Sequence, residues 1–258
     1  MKGVHWKYCL IFVLIPFFSF AQKDSTKVKY SPYISINAGI RFPSGIQYGQ
    51  FSSSFDTYAN VGPFMNIYAT VPINNSCFGI AGMLGYSLNT YNTFTIPNTY
   101  DASQVTSINA GNFGIFTAMP GIYVTIPGRS TSINFRLLGG LVYFKSPQVS
   151  YTGEFNNYAL APGYGVTEDG TWIIGGESTN SFAIDIGASL KVMFSKRIFG
   201  ILNADFLYSG LHGGINTNTQ FEGIYNGAQT TYSYENLYSF SYTYLTPLDI
   251  TIGICYKL

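Results

Sequence analysis

The chain has 258 residues, of which 10% are charged and 17% aromatic, with 22 Tyr, 21 Phe and 28 Gly, and its formal net charge is +1. A water-soluble domain carries about 25% charged residues. A chain of this composition either hides little surface from water or meets a solvent other than water.

In chain order the first element is a targeting segment. Lys2 and Lys7 precede the apolar run Leu10 to Phe18, and Ser19-Phe20-Ala21 supplies small residues where a signal peptidase reads. Cleavage is expected after Ala21, giving a signal peptide over 1–21, a short periplasmic segment over 22–32 and a barrel over 33–258. The run is well short of the roughly 20 residues that span a bilayer, and Pro16 interrupts it. Cys9 lies inside the run, which argues against a lipoprotein. Cys77 and Cys255 are too few and too far apart for a disulfide scaffold or a metal site. Inward parity near one rim lets them approach, but three strand spacings intervene.

Beyond Ala21 no segment reads as a membrane helix, because the best candidate, Gly111 to Gly128, is broken by Pro120, Pro127 and its glycines. Alternation with a period of two predicts strands instead. They are Tyr33 to Phe42, Val61 to Ile73, Phe78 to Leu88, Phe116 to Ile126, Ile133 to Phe144, Phe182 to Phe194, Ile198 to Tyr208 and Leu248 to Leu258. The sixth is the clearest. Phe182, Ile184, Ile186, Ala188, Leu190, Val192 and Phe194 share one face, and Ser181, Ala183, Asp185, Gly187, Ser189 and Lys191 the other. Twelve steps of about 3.3 Å, tilted by about 40°, rise roughly 30 Å, which suits an apolar band about 25 Å tall between aromatic girdles. Ser35, Asn37, Gly39, Gly79, Ala81, Gly85 and Ser87 make the second face small and polar, as the interior of a narrow barrel requires.

The predicted connections alternate in length. Short ones follow the second, fourth and sixth strands; the others run from about Pro43 to Asn60, Asn89 to Ile115, Lys145 to Asn180 and Ser209 to Pro247. The fold class expected is therefore an all-β, eight-stranded antiparallel up-and-down transmembrane β-barrel with short periplasmic turns and long extracellular loops. Charge agrees: the long loops hold Asp56, Asp101, Glu154, Glu168, Asp169, Glu177, Glu222 and Glu235 against Lys145. The other side holds Lys23, Lys27, Lys29, Arg129, Lys196, Arg197 and Lys257 against Asp24. Within the strands Arg41, Arg136, Asp185, Lys191, Asp205 and Asp249 all oppose the apolar face. They are expected to form an ion-pair network plugging the lumen, with Arg41 near Asp249 and Asp205 near Lys191. In the seventh strand Phe199 and Ile201 share parity with Asp205, which predicts a bulge near its start.

The last strand must pair with the first to remove both sheet edges. Tyr256 and Leu258 resemble the C-terminal signal read by the outer-membrane assembly machinery, although its commonest form ends in Phe. With Phe20-Ala21-Gln22 and the closing Gly253-Ile254-Cys255-Tyr256-Lys257-Leu258, the mature chain resembles a small outer-membrane β-barrel of the OmpA/OmpX-like type, Bacteroidota style. The resemblance implies placement and fold. It implies no single activity, since such barrels serve as adhesins, anchors, pores and enzymes.

No catalytic site, cofactor or metal is expected. The mature chain's single histidine, His212, sits in Leu211-His-Gly-Gly214, and the His-x-Ser of barrel lipases and the Asp-x-Asp and Asp-x-His of omptin proteases are missing. Glu168-Asp169-Gly170 lacks the alternating ligands of a calcium loop and reads as a hairpin turn. The aromatic stretch from Tyr232 to Tyr244 keeps the parity of the last strand, so that strand is expected to run unbroken from about Leu237. Asn226-Gly227 predicts a hairpin standing above the membrane. Trp172, Tyr225, Tyr232, Tyr234, Tyr238, Phe240 and Tyr242 are the candidate surface residues for a protein or glycan partner; packing among the loops is the structural alternative. Outer-membrane lipid is the other expected partner, and nucleic acid is not expected. The leading reading is a non-enzymatic barrel whose loops bind a partner or join an envelope complex. The alternative is a narrow porin-like channel, and a barrel enzyme comes third.

Overall fold

The computed structural model describes residues 30–43, 59–90, 102–128, 130–145, 147–156, 167–174, 178–211, 215–216, 219–225, 228–234, 239–240 and 243–258; for 102–106, 149, 151, 154–156, 167–170, 172–174 and most of the strands after 210 it describes backbone alone. The strands are β1 (Tyr33–Phe42), β2 (Gly62–Pro72), β3 (Phe78–Thr90), β4 (Ala102–Ala110), β5 (Asn112–Pro127), β6 (Thr131–Lys145), β7 (Val149–Asn156) and β8 (Thr167–Ile174). They continue with β9 (Ser178–Met193), β10 (Ile198–Leu211), β11 (Ile215–Asn216), β12 (Thr219–Tyr225), β13 (Ala228–Tyr234), β14 (Ser239–Phe240), β15 (Thr243–Leu245) and β16 (Leu248–Lys257).

Eight of them close a barrel in the order β1, β2, β3, β5, β6, β9, β10, β16, each antiparallel to its neighbours. The closing seam pairs β1 with β16, from Tyr33 opposite Lys257 to Phe42 opposite Leu248. That seam explains the strict apolar pattern at the end of the chain: a closed sheet has no free edge. No helix among the described residues is long and apolar enough to cross a membrane, and the strands carry the apolar surface instead.

The outer face keeps large apolar side chains in the open, Ile36, Ile80, Ile122, Leu141, Ile186, Ile252 and Ile254 among them. At the loop end Tyr86, Phe116 and Tyr143 stand directly beside one another across β3, β5 and β6. Toward the short turns Phe78, Phe135, Phe194 and Tyr256 are exposed. Two aromatic bands flanking an aliphatic belt is the layout of a barrel immersed in a bilayer. Between β2 and β3 the turn uses Asn74 and Asn75 at φ 49° and 57°. Asn tolerates this left-handed backbone better than other non-glycine residues.

Several expectations change. The wall strands β3, β5, β6, β9 and β10 run farther toward the loop end than the alternation showed, and Lys145 is the last residue of β6, paired with both Gly114 and Ser178. β10 keeps regular register with both neighbours, so no bulge separates Phe199 and Ile201 from Asp205. Ile201 is buried and Phe199 packs against the core, because both face inward, where the buried cluster also holds Tyr33, Tyr123 and Cys255. The last strand does not run unbroken: Thr246 and Pro247 separate β15 from β16, since proline has no N–H to give the ladder.

Glu168-Asp169-Gly170 is not a turn but the start of β8, opposite Gly153, Glu154 and Phe155 of β7. Pairing with β7, joined at Gly170 by Gly223 of β12, overrides the local turn preference. β12 and β13 do form a hairpin, with Tyr225 opposite Ala228 across the two-residue connection. It does not stand alone: β13, β12, β8, β7 and β4 make a five-stranded sheet beyond the barrel wall.

Candidate functional site

Inward-facing residues alternate with the apolar outer ones, and their side chains fill the lumen in zones. An eight-stranded barrel is just wide enough for that. At the loop end Phe113 and Phe144 are fully buried, their ring centroids 5.9 Å apart, with Ile115, Val142, Leu207 and Leu245 buried as well. The charged groups lie below this apolar layer.

Arg41 and Asp249 stand opposite each other across the closing seam. The guanidinium binds the carboxylate in a fork, Nε donating to Oδ1 and Nη2 to Oδ2, each at 2.6 Å, while Nη1 donates to Ser87 Oγ at 3.1 Å. Arg136 of β6 reaches across to β10, where Nη2 donates to Asp205 Oδ1 and Nη1 to Asn203 Oδ1 at 3.4 Å; Nη1 also donates to Ser189 Oγ. Gly187 lies on β9 between these partners, and a Cβ there would collide with Asp205 Oδ1. The absent side chain is therefore what gives the pair its room. Asn37 donates to Asn66 Oδ1 at 2.6 Å, and Asn203 to Thr251 Oγ1 at 2.9 Å, carrying the network around the wall.

Each lumen cation also lies over an aromatic ring: Arg41 over Phe64 at 4.3 Å, Arg136 over Tyr68 at 4.8 Å, and Lys191 over Tyr33 at 4.0 Å. Such contacts strengthen when desolvated. The interior is therefore not made of small polar residues throughout, as the sequence predicts. Phe64, Tyr68 and Tyr33 share the inward parity, and parity is the one signal in the sequence that points to them.

The six charged residues do not form one network. Lys191 is opposite Ile201, whereas Asp205 is opposite Gly187, so four residues, about 13 Å of strand, separate them along the barrel. The expected Asp205 to Lys191 pair is therefore replaced by Asp205 with Arg136. Asp185, opposite Leu207 and Leu138, is fully buried, and neither of its carboxylate oxygens has a hydrogen-bond partner among the described residues. Cys77 and Cys255 are both free thiols.

In the sheet beyond the wall, Ile108, Tyr151, Trp172, Phe221 and Tyr232 occupy one cross-strand line. Tyr225 ends β12 and Tyr234 ends β13. Gly153 is buried, while Thr152 is exposed with its hydroxyl 3.0 Å from that of Thr171. Phe240 lies in β14, opposite Ile215. Tyr238 and Tyr242 are outside the described residues, as is His212. Among the described residues no group of three His, Cys, Asp or Glu is placed to hold a metal ion.

No family model matches the chain, and no curated protein matches it. Solved structures do. A major outer membrane protein from Thermus thermophilus is 12% identical, with a TM-score of 0.45, over 89% of this chain and 100% of that one. Neisserial surface protein A is 10% identical with a TM-score of 0.42, over 90% and 100%. Ail, the attachment invasion locus protein of Yersinia pestis, is 13% identical with a TM-score of 0.40, over 89% and 100%.

Proposed function

We propose that this chain is a non-enzymatic outer-membrane barrel with a plugged lumen, which carries the five-stranded loop sheet as a cell-surface binding site for a protein or glycan. The loop sheet itself supports the reading most strongly. Long connections above a barrel have no structural need to build an ordered sheet of their own. Here they bring Trp172, Tyr225, Tyr232 and Tyr234 into neighbouring strands of one sheet, and β13 forms an edge of that sheet. An edge strand is a template for an added strand from a partner, and aromatic rings add large contact area at low entropic cost. The exposed aliphatic belt between aromatic bands supports placement in a bilayer. The acids of the long connections and the bases near the short turns support an orientation with turns in the periplasm.

Orientation is tested by thiol labelling. With Cys77 and Cys255 replaced by Ser, Thr152→Cys is expected to react with a membrane-impermeant maleimide on intact cells. Lys196→Cys is expected to react only after lysis. The reverse pattern would invert the barrel.

Binding is tested by crosslinking on intact cells with and without residues 216–235, which include β12 and β13. Their removal is expected to leave the folded barrel in the membrane, since none of the eight wall strands is lost, and to abolish one specific crosslinked neighbour. A full-length protein that yields no specific neighbour, or a deletion that leaves the neighbour in place, would contradict the binding role.

A further inference from the structure

Among the described residues a recess lies at the short-turn end of the lumen, below the ion pairs. It measures about 160 Å³, and Tyr33, Tyr123, Thr125, Ser132, Lys191 and Lys257 are among the residues lining it. Both charged side chains there are bases. Among the described residues the ion pairs are Arg41 with Asp249 and Arg136 with Asp205, so neither lysine is paired with a carboxylate. Lys191 is held in place by other means: its ammonium lies 4.0 Å above the Tyr33 ring. With the Asn134 amide turned to accept from the Tyr33 hydroxyl, that amide oxygen is also 3.3 Å from Lys191 Nζ. A ring face and an amide oxygen orient an ammonium group without neutralising it, and a partly buried cation without a counter-charge is costly.

Part of the remaining lining suits an anion, beside an apolar wall of Pro127, Met193 and Phe199. Thr125 and Ser132, on the inward parity of their strands, line the recess together with Ser130 and Thr131, and a hydroxyl group is able to donate a hydrogen bond. The volume is below the roughly 300–1,000 Å³ of pockets that take drug-sized ligands, which restricts the occupant to a small group. We infer that this recess binds a small oxyanion, a phosphate or carboxylate, between Lys191 and Lys257. The inference stands on the barrel alone and does not depend on what the loops bind.

The test uses the purified full-length barrel in nonionic detergent. Its thermal unfolding midpoint is read from the mobility change on unheated gels, with sodium phosphate or sodium acetate replacing sodium chloride at constant ionic strength. A ligand that binds only the folded state raises the midpoint saturably. Phosphate, acetate or both are expected to do so in the wild type, and the stronger of the two identifies the preferred group. Lys191→Gln is expected to weaken the apparent affinity by about tenfold or more, as loss of a charge-assisted hydrogen bond does. Lys145→Gln, at the opposite end of the barrel, is expected to leave it unchanged. If Lys191→Gln does not fold, Lys257→Gln gives the same reading from the rim. Equal midpoints in chloride, phosphate and acetate would overturn the inference, as would a shift that persists in every lysine variant able to fold.

Discussion

Asp249→Ala is expected to destabilise the barrel by about 3–5 kcal/mol, the usual consequence of removing one partner from a buried ion pair. The reason lies in what stays behind. Arg41 is 0% exposed and would retain Ser87 Oγ as an acceptor but no carboxylate. Asp205→Ala is expected to act in the same direction through Arg136. Asp185 makes the contrast, because it is equally buried and its carboxylate oxygens have no hydrogen-bond partner among the described residues. Asp185→Asn removes a potential charge without stranding a partner, so stability is expected to stay level or rise. Replacing both members of the first pair, Arg41→Met with Asp249→Leu, is expected to recover most of the loss, since an apolar pair of similar volume avoids the desolvation cost. Urea unfolding of the purified barrel in micelles gives all four values. If Asp185→Asn were the most damaging and Asp249→Ala harmless, the assignment of structural pairs in the lumen would be wrong.

Ile252→Arg is expected to cost about 2–4 kcal/mol for folding into lipid vesicles, the penalty for a cation facing hydrocarbon near mid-bilayer. Ile252 is on the outer face of β16, opposite Ala38 and Leu202, and is 67% exposed. Phe194→Arg supplies the comparison. Phe194 is 72% exposed but lies just beyond β9 in a short turn, where a long cation reaches the interface and costs about 0–1 kcal/mol. Exposure alone therefore does not set the effect; depth does. Equal small penalties at both positions, measured by reversible folding into the same vesicles, would mean that the outer face does not meet hydrocarbon.

The wall was legible in the sequence because lipid outside and a filled lumen inside impose opposite demands on successive residues. β1 has the bounds read from alternation alone, and Arg41 opposite Asp249 follows from the adjacency of the first and last strands. Stagger was not legible. Strand adjacency placed Asp205 beside Lys191, and only the register reveals Gly187 opposite Asp205. The rings over the cations were hidden for a related reason, since parity tells which way Phe64 and Tyr68 face but not what they meet. β4, β7 and β8 were missed because strands outside the bilayer need no continuous apolar face, and Asp169-Gly170 carried a turn signal that is overridden by pairing of both residues with β7 and of Gly170 with β12. Asn226-Gly227 stayed readable because the pairing of β12 with β13 is local.

On the function proposed above, side chains fill the lumen and the barrel supports its loop sheet without conducting ions. Single-channel recording of the purified wild-type barrel in planar bilayers tests this most directly. No steady conductance above the bilayer background is expected, because the Phe113 and Phe144 layer and the two arginine–aspartate pairs occupy the passage. A large, steady, reproducible conductance from the folded wild-type protein would contradict the plug and make the chain a channel.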